Sequence, residues 1–130
     1  MFIAGCHAYD LFFLDNGRYK LSNAVVLSSS EHPFVVSGRD DEHCVMTIDN
    51  VYIKRLNPTV PAQVQKHGVL DATRFTLENT ELQIKGEATF RDCLIHGKAL
   101  PEGTNGGGAK KEELIKDVAP AEYQKEFANP

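Results

Sequence analysis

Two acidic residues at equivalent places in a recurring pattern are the sharpest chemical candidates in this 130-residue sequence. Asp49 and Glu78 each follow an apolar residue, Ile48 and Leu77, that opens a short motif. If Ile48 and Leu77 lie on neighbouring strands, both carboxylates point outward, about 5 Å apart by strand spacing. Retaining glycoside hydrolysis uses paired carboxylates at that separation. Acidic side chains on an exposed sheet face are nonetheless common, and the sequence has no Trp to form a sugar-stacking platform.

A second candidate set pairs thiols with imidazoles: Cys6 with His7, Cys44 with His43, and Cys93 with His96. Both groups are good zinc ligands. Adjacent residues of a strand face opposite ways, so each adjacent pair could chelate together only from a loop. No CxxC or HxxxH spacing is present, and nothing marks an activated thiol. We expect no metal and no cofactor, with the thiols serving as small apolar groups in the core. Asp40, Asp41 and Glu42 form an acidic run beside His43, but EF-hand spacing is absent, so a solvated loop is expected. Gly106, Gly107 and Gly108 precede Lys110 and Lys111 without phosphate-loop spacing, and read as linker.

Composition narrows the classes further. The length suits one domain, and 42% hydrophobic with 25% charged residues is ordinary for a globular chain. A net charge of -4, with no cationic cluster longer than Lys110–Lys111, argues against binding nucleic acid, which rests on neutralised phosphates. The apolar N-terminal stretch lacks a cationic first segment and is split by Asp10, so no signal peptide is expected there. No apolar run approaches the roughly 20 residues needed to cross a bilayer, so no membrane role is expected. Three cysteines cannot all pair within one chain, which points to a reducing, cytoplasmic setting, or to a virus or phage particle assembled inside a cell.

The elements that would position these groups come from the motif itself: apolar, any, Asn or Asp, any, any, apolar. It occurs at Leu21–Asn23–Val26, Ile48–Asn50–Ile53, Leu77–Asn79–Leu82 and Phe90–Asp92–Ile95. Alternation buries the first residue. Asn and Asp tolerate the left-handed conformation and suit a bend. The later apolar residue then re-enters the core. The opening positions are separated by 27, 29 and 13 residues, which suggests a winding of roughly 27 residues with two strand-bearing sides. Leu21, Ile48 and Leu77 would stack on one side; Phe34, the Val60 region and Phe90 would stack on the other. Asn79 and Asp92 are then bend residues. Pro58 and Pro61 argue against a central strand between residues 57 and 68.

Segments such as MTIDNVYIKR and ATFRDCLIHG resemble those of right-handed parallel β-helix proteins, a class that includes sugar-chain lyases, hydrolases and phage tail proteins. The resemblance covers about half the chain and implies a fold, without a catalytic signature. The alternative is an antiparallel barrel or sandwich, with Gly86, Glu87 and Ala88 as a hairpin loop. That hairpin would set Leu82 against Asp92, a mismatch that favours parallel stacking.

The sequence therefore reads as all-β, a short parallel β-solenoid of about three coils over residues 1–100. A flexible linker over 101–109 and a helical tail over 110–130 follow. The tail sets Leu114, Ile115, Val118, Tyr123 and Phe127 for packing, either as a cap over an open end of the β body or as a docking element for a partner. The function expected is a non-catalytic interaction or assembly module acting through a protein partner or as a homo-oligomer. A carbohydrate-active or carbohydrate-binding domain using Asp49 and Glu78 is the alternative, and a small-ligand β-barrel a third.

Overall fold

The computed structural model describes residues 1–4, 13–14, 17–28, 33–39, 43–55, 61–96, 98–100 and 108–127. Strands run in the order β1 (Phe2–Ile3), β2 (Phe13–Leu14), β3 (Gly17–Ser28), β4 (Val35–Val36), β5 (Cys44–Arg55) and β6 (Ala62–Val64). They continue with β7 (Gly68–Glu78), β8 (Leu82–Ile84), β9 (Glu87–Arg91), β10 (Cys93–Ile95) and β11 (Lys98–Leu100). Helix α1 (Lys111–Val118) and a 3-10 helix (Ala121–Phe127) follow.

These strands make two sheets. The first has the order β1-β3-β5-β7-β10-β11, with β9 also paired to β7, and the second has the order β2-β4-β6-β8. Every described pairing is parallel except β10 with β11. From β3 to β9 the chain passes through a strand of the second sheet before it re-enters the first. An antiparallel barrel or sandwich is thereby excluded. Gly86 is no hairpin tip: it lies at the corner where the chain leaves β8 for β9.

The register departs from the sequence expectation at the third motif. Leu21 lies opposite Ile48, Ile48 opposite Ala72, and Ala72 opposite Phe90. Leu77 falls five residues further along, in the row of Val26, Ile53 and Ile95. Phe90 accordingly shares a sheet with Ile48, whereas Val35–Val36, Ala62–Val64 and Leu82–Ile84 build the second sheet. A central strand does form between residues 57 and 68. It begins just after Pro61, where the missing N–H is lost to no ladder.

The physical cause of the misplaced register is Arg74. Asn23 (φ 50°), Asn50 (φ 57°), Arg74 (φ 48°) and Asp92 (φ 54°) all adopt the left-handed conformation at the same point of their strands. At each, the inward alternation shifts by one, from Leu21 to Ala24, Ile48 to Val51, Ala72 to Phe75 and Phe90 to Cys93. Asn79 (φ 63°) also has a positive φ, but it lies between β7 and β8, where the chain passes from the first sheet to the second. Asn50 Nδ2 donates to Asn23 Oδ1 at 3.0 Å, so these two bend residues are also linked to each other.

Arginine has no side-chain compensation for the left-handed backbone, and its Nε is buried without a hydrogen-bond partner among the described residues. Arg74→Asn is expected to raise stability by about 1 kcal/mol, because its ion pair with Asp49 is exposed and worth little. Urea denaturation checks this. A lower midpoint would show that the ion pair outweighs the backbone strain.

Between the two sheets lies the core, with Phe34, Val36, Ile48, Ile53, Val64, Leu70, Phe75 and Leu77 fully or almost fully buried. The Phe34 and Phe75 rings are tilted against each other with centroids 6.1 Å apart. A second cluster sits on the opposite face of the first sheet. Val25, Leu27 and Tyr52 point away from the core and are covered by Leu114, Ile115, Ala119 and Phe127, with Val118 and Tyr123 partly buried beside them. The described part of the tail thus lies along the sheet's outer face.

The expected linker is only partly described. Residues 101–107 fall outside the described residues, but Gly108 and Ala109 are packed, and the Ala109 N–H donates to Thr76 Oγ1 at 2.8 Å. No described helix is long and apolar enough to cross a membrane.

Candidate functional site

The outer face of the first sheet, upstream of the bends, carries the densest polar arrangement. Asp49 lies opposite Thr73, and Arg74 Nη2 donates to its carboxylate. On the same face Arg91 Nη2 donates to Asp71, and Arg91 Nε donates to Thr73 Oγ1 at 3.2 Å. These groups alternate along β7 and β9, so period-two geometry puts them on one surface. Asp71, Thr73, Arg74 and Arg91 were not singled out from the sequence. Only the true register, with Asp49 beside Thr73, reveals them as neighbours.

Glu78 is elsewhere. Its neighbour on β5 is Lys54, five residues beyond Asp49 and on the other side of the Asn50 bend. The expected side-by-side pair of Asp49 and Glu78 therefore does not form, since the 29-residue offset read from the motif is 24 in the ladder at Ile48 and Ala72. Asp49 and Glu78 are thus not the adjacent carboxylate pair that retaining glycoside hydrolysis uses.

Glu78 instead fastens the tail. The Tyr52 hydroxyl donates to Glu78 Oε2, and Lys111 Nζ donates to Glu78 Oε1 at 3.1 Å. The Lys111 ammonium also stands 4.9 Å from the centroid of the Tyr52 ring. Burial pushes the Tyr52 phenol up from its ordinary pKa, and the hydrogen bond and charge of Glu78 push it further, so the phenol remains a donor. A phenol kept protonated and tied to a carboxylate joins β5 to β7, and Lys111 fastens α1 to that pair; the phenol is no general base.

The described thiol–imidazole candidates do not converge on a metal site. Cys44 and Cys93 are both buried, in keeping with small apolar groups. Burial raises the Cys93 thiol pKa, and its Sγ lies 3.4 Å from the Arg91 carbonyl and 3.5 Å from that of Ala72. A raised thiol is a poor nucleophile. His43 is exposed and its ring lies 5.6 Å from that of His67, whereas His96 sits exposed at a positive φ. Among the described residues no three His, Cys, Asp or Glu side chains come together as a metal site. Cys6 and His7, like the acidic run Asp40 to Glu42, lie outside the described residues.

Two shallow depressions open at the corner between the sheets. One is lined by Gln63, Gln65, Lys66, Gln83 and Lys85, and the other by His43, His67, Gly68 and Glu87 among others. Neither holds a pair of carboxylates.

The chain's extremities are more distinctive. β8 pairs only with β6, and β9 only with β7, leaving one edge of each strand without a β-partner among the described residues. The core-facing side chains of these strands are incompletely covered. Ile84 is 43% exposed, although it lies in the row of fully buried Val36 and Val64, and Leu82, Ala88 and Phe90 are only partly buried. At the opposite extremity Tyr19, in the row of buried Met46, is 42% exposed.

Leu114, Ile115, Val118, Tyr123 and Phe127, read from the sequence as a cap or as a partner-docking face, pack on the outer face of the first sheet. Comparison with protein-family models, curated proteins and solved structures finds no match to this chain.

Proposed function

We propose that the chain is a short parallel β-solenoid acting as a non-catalytic interaction and assembly module, which meets other protein through the uncovered edge formed by β8 and β9. The observation that carries this reading is the exposure of Ile84 in the row where Val36 and Val64 are fully buried. An apolar row that continues to a free strand edge offers both hydrophobic surface and backbone hydrogen bonds to an incoming chain. The solenoid assignment is supported by the four bend residues in one column and by the path from first sheet to second and back. A reducing intracellular setting belongs to the same proposal, in line with the buried thiols of Cys44 and Cys93.

Sedimentation velocity over a wide concentration range, with chemical cross-linking in cell extract, tests the reading. The wild-type chain is expected to enter complexes with itself or another protein, and Ile84→Lys to weaken them at least tenfold. Complexes unchanged by Ile84→Lys, or none in either assay, would refute it. Turnover of any glycan by the wild-type chain would overturn the non-catalytic part.

A further inference from the structure

We infer that the occupant of the open edge is a second copy of this chain, related by a two-fold axis through Thr89 that pairs the two β9 strands antiparallel. This rests on the reading of the β8–β9 edge as the contact surface, and adds a partner and a register to it.

The argument begins with β9, whose sequence is Glu-Ala-Thr-Phe-Arg over Glu87–Arg91. In an antiparallel pair, residues directly opposite each other share a face. About an axis at Thr89, Glu87 therefore meets Arg91 of the second copy, and Arg91 meets its Glu87. Thr89 meets its own equivalent. On the core side, Ala88 meets Phe90 of the second copy, so each large ring lies beside a small methyl. Glu87, Thr89 and Arg91 are exposed, whereas Ala88 and Phe90 are partly buried against the core, as this arrangement requires. Arg91 keeps more than half its side chain accessible despite its bonds to Asp71 and Thr73, and a guanidinium has donors to spare. An axis at Ala88 or Phe90 would break both charge pairs. Thr89 is the one centre about which this strand is complementary to itself.

Head-to-tail stacking also has attractive features. Arg18, Val45, Val69 and Glu87 occupy one row, so β3 of a following copy could set Arg18 against Glu87. The downstream half of the first sheet prevents it. There β1 extends beyond β3, and β11 extends beyond β10. These two extra strands would hold the β3 and β9 edges about 9.5 Å, two inter-strand spacings, beyond pairing distance. Among the described residues the two-fold arrangement has no such obstruction. It turns the overhanging β11 of each copy toward the second sheet of the other, where β8 has an open edge.

Charge exchange tests the pairing by sedimentation velocity. Wild type is expected to form a dimer. Glu87→Arg alone sets two guanidinium groups against each other at both ends of the strand pair, and Arg91→Glu alone sets carboxylates together there. Each is expected to weaken the dimer at least tenfold. An equimolar mixture of the two variants restores both attractive pairs and is expected to dimerise like wild type, which also shows that both variants fold. A wild-type chain that stays monomeric, a single variant that dimerises normally, or a mixture that stays monomeric would each overturn the proposal. Head-to-tail contact would be recognised by survival of the complex in Arg91→Glu. Loss of association in Ile84→Lys with normal association in both charge variants would retain the open edge and discard the two-fold axis.

Discussion

Replacing Leu114 and Ile115 together by alanine is expected to lower the unfolding free energy by about 4 kcal/mol, a large share of the stability of a domain this size. Both side chains are buried against Val25, Leu27 and Tyr52, which project from the first sheet away from the main core. Truncation leaves that outward apolar row partly uncovered, so the cost combines lost transfer energy with the cavity under the helix. The clamp of Tyr52, Glu78 and Lys111 cannot compensate, because it holds the same helix to the same strands. Urea denaturation followed by circular dichroism, with hydrogen exchange on α1, measures the effect. An unchanged midpoint would mean that the tail does not hold to the sheet, and would return these side chains to the role of a partner-docking face.

Gly68→Ala is expected to cost about 3 kcal/mol and to lower Tm by about 10 °C. A methyl group at this position would press into the Val36 carbonyl oxygen and come within 3.0 Å of the Gln65 carbonyl oxygen. Neither can withdraw easily. The Val36 oxygen accepts from the Gln65 N–H at 2.8 Å, and the Gln65 oxygen accepts from the Gly68 N–H at 2.8 Å. The same crowding recurs at Gly38, against the His67 carbonyl, and at Gly86, against the Gly68 carbonyl. Three glycines thus line the corner where the second sheet passes into the first, and they are needed there for close approach of backbone to backbone. Thermal unfolding distinguishes this account. A Gly68→Ala variant as stable as wild type would show that the corner has room to move.

Much of the fold was legible in local pattern. Alternation in residues 44–49 and the bend residues Asn23, Asn50 and Asp92 mark strands, faces and turns. The mismatch of Leu82 with Asp92 in a hairpin register pointed to parallel pairing, and every described pairing except β10 with β11 is parallel. The candidate carboxylate pair was not legible, because it depended on aligning Leu77 with Ile48. Leu77, Asn79 and Leu82 satisfy the motif, yet Asn79 turns the chain between sheets, whereas the equivalent bend is made by Arg74, a residue type that gives no such signal. The destination of the tail was equally hidden. Residues 24–27 read Ala-Val-Val-Leu, and an unbroken apolar run does not say which of its members face outward to receive a helix.

Local preferences were enough to set the strand-and-bend character of the chain, its predominantly β class and an amphipathic C-terminal segment. Each of these follows from the conformational preference of one residue or the spacing of its near neighbours. Register, the separation of Asp49 from Glu78, the covering of Val25, Leu27 and Tyr52, and the exposure of Ile84 arise from long-range packing. They depend on which distant rows come together. A five-residue shift in that packing leaves the inward alternation intact on both sides of a bend while giving every outward side chain a different neighbour.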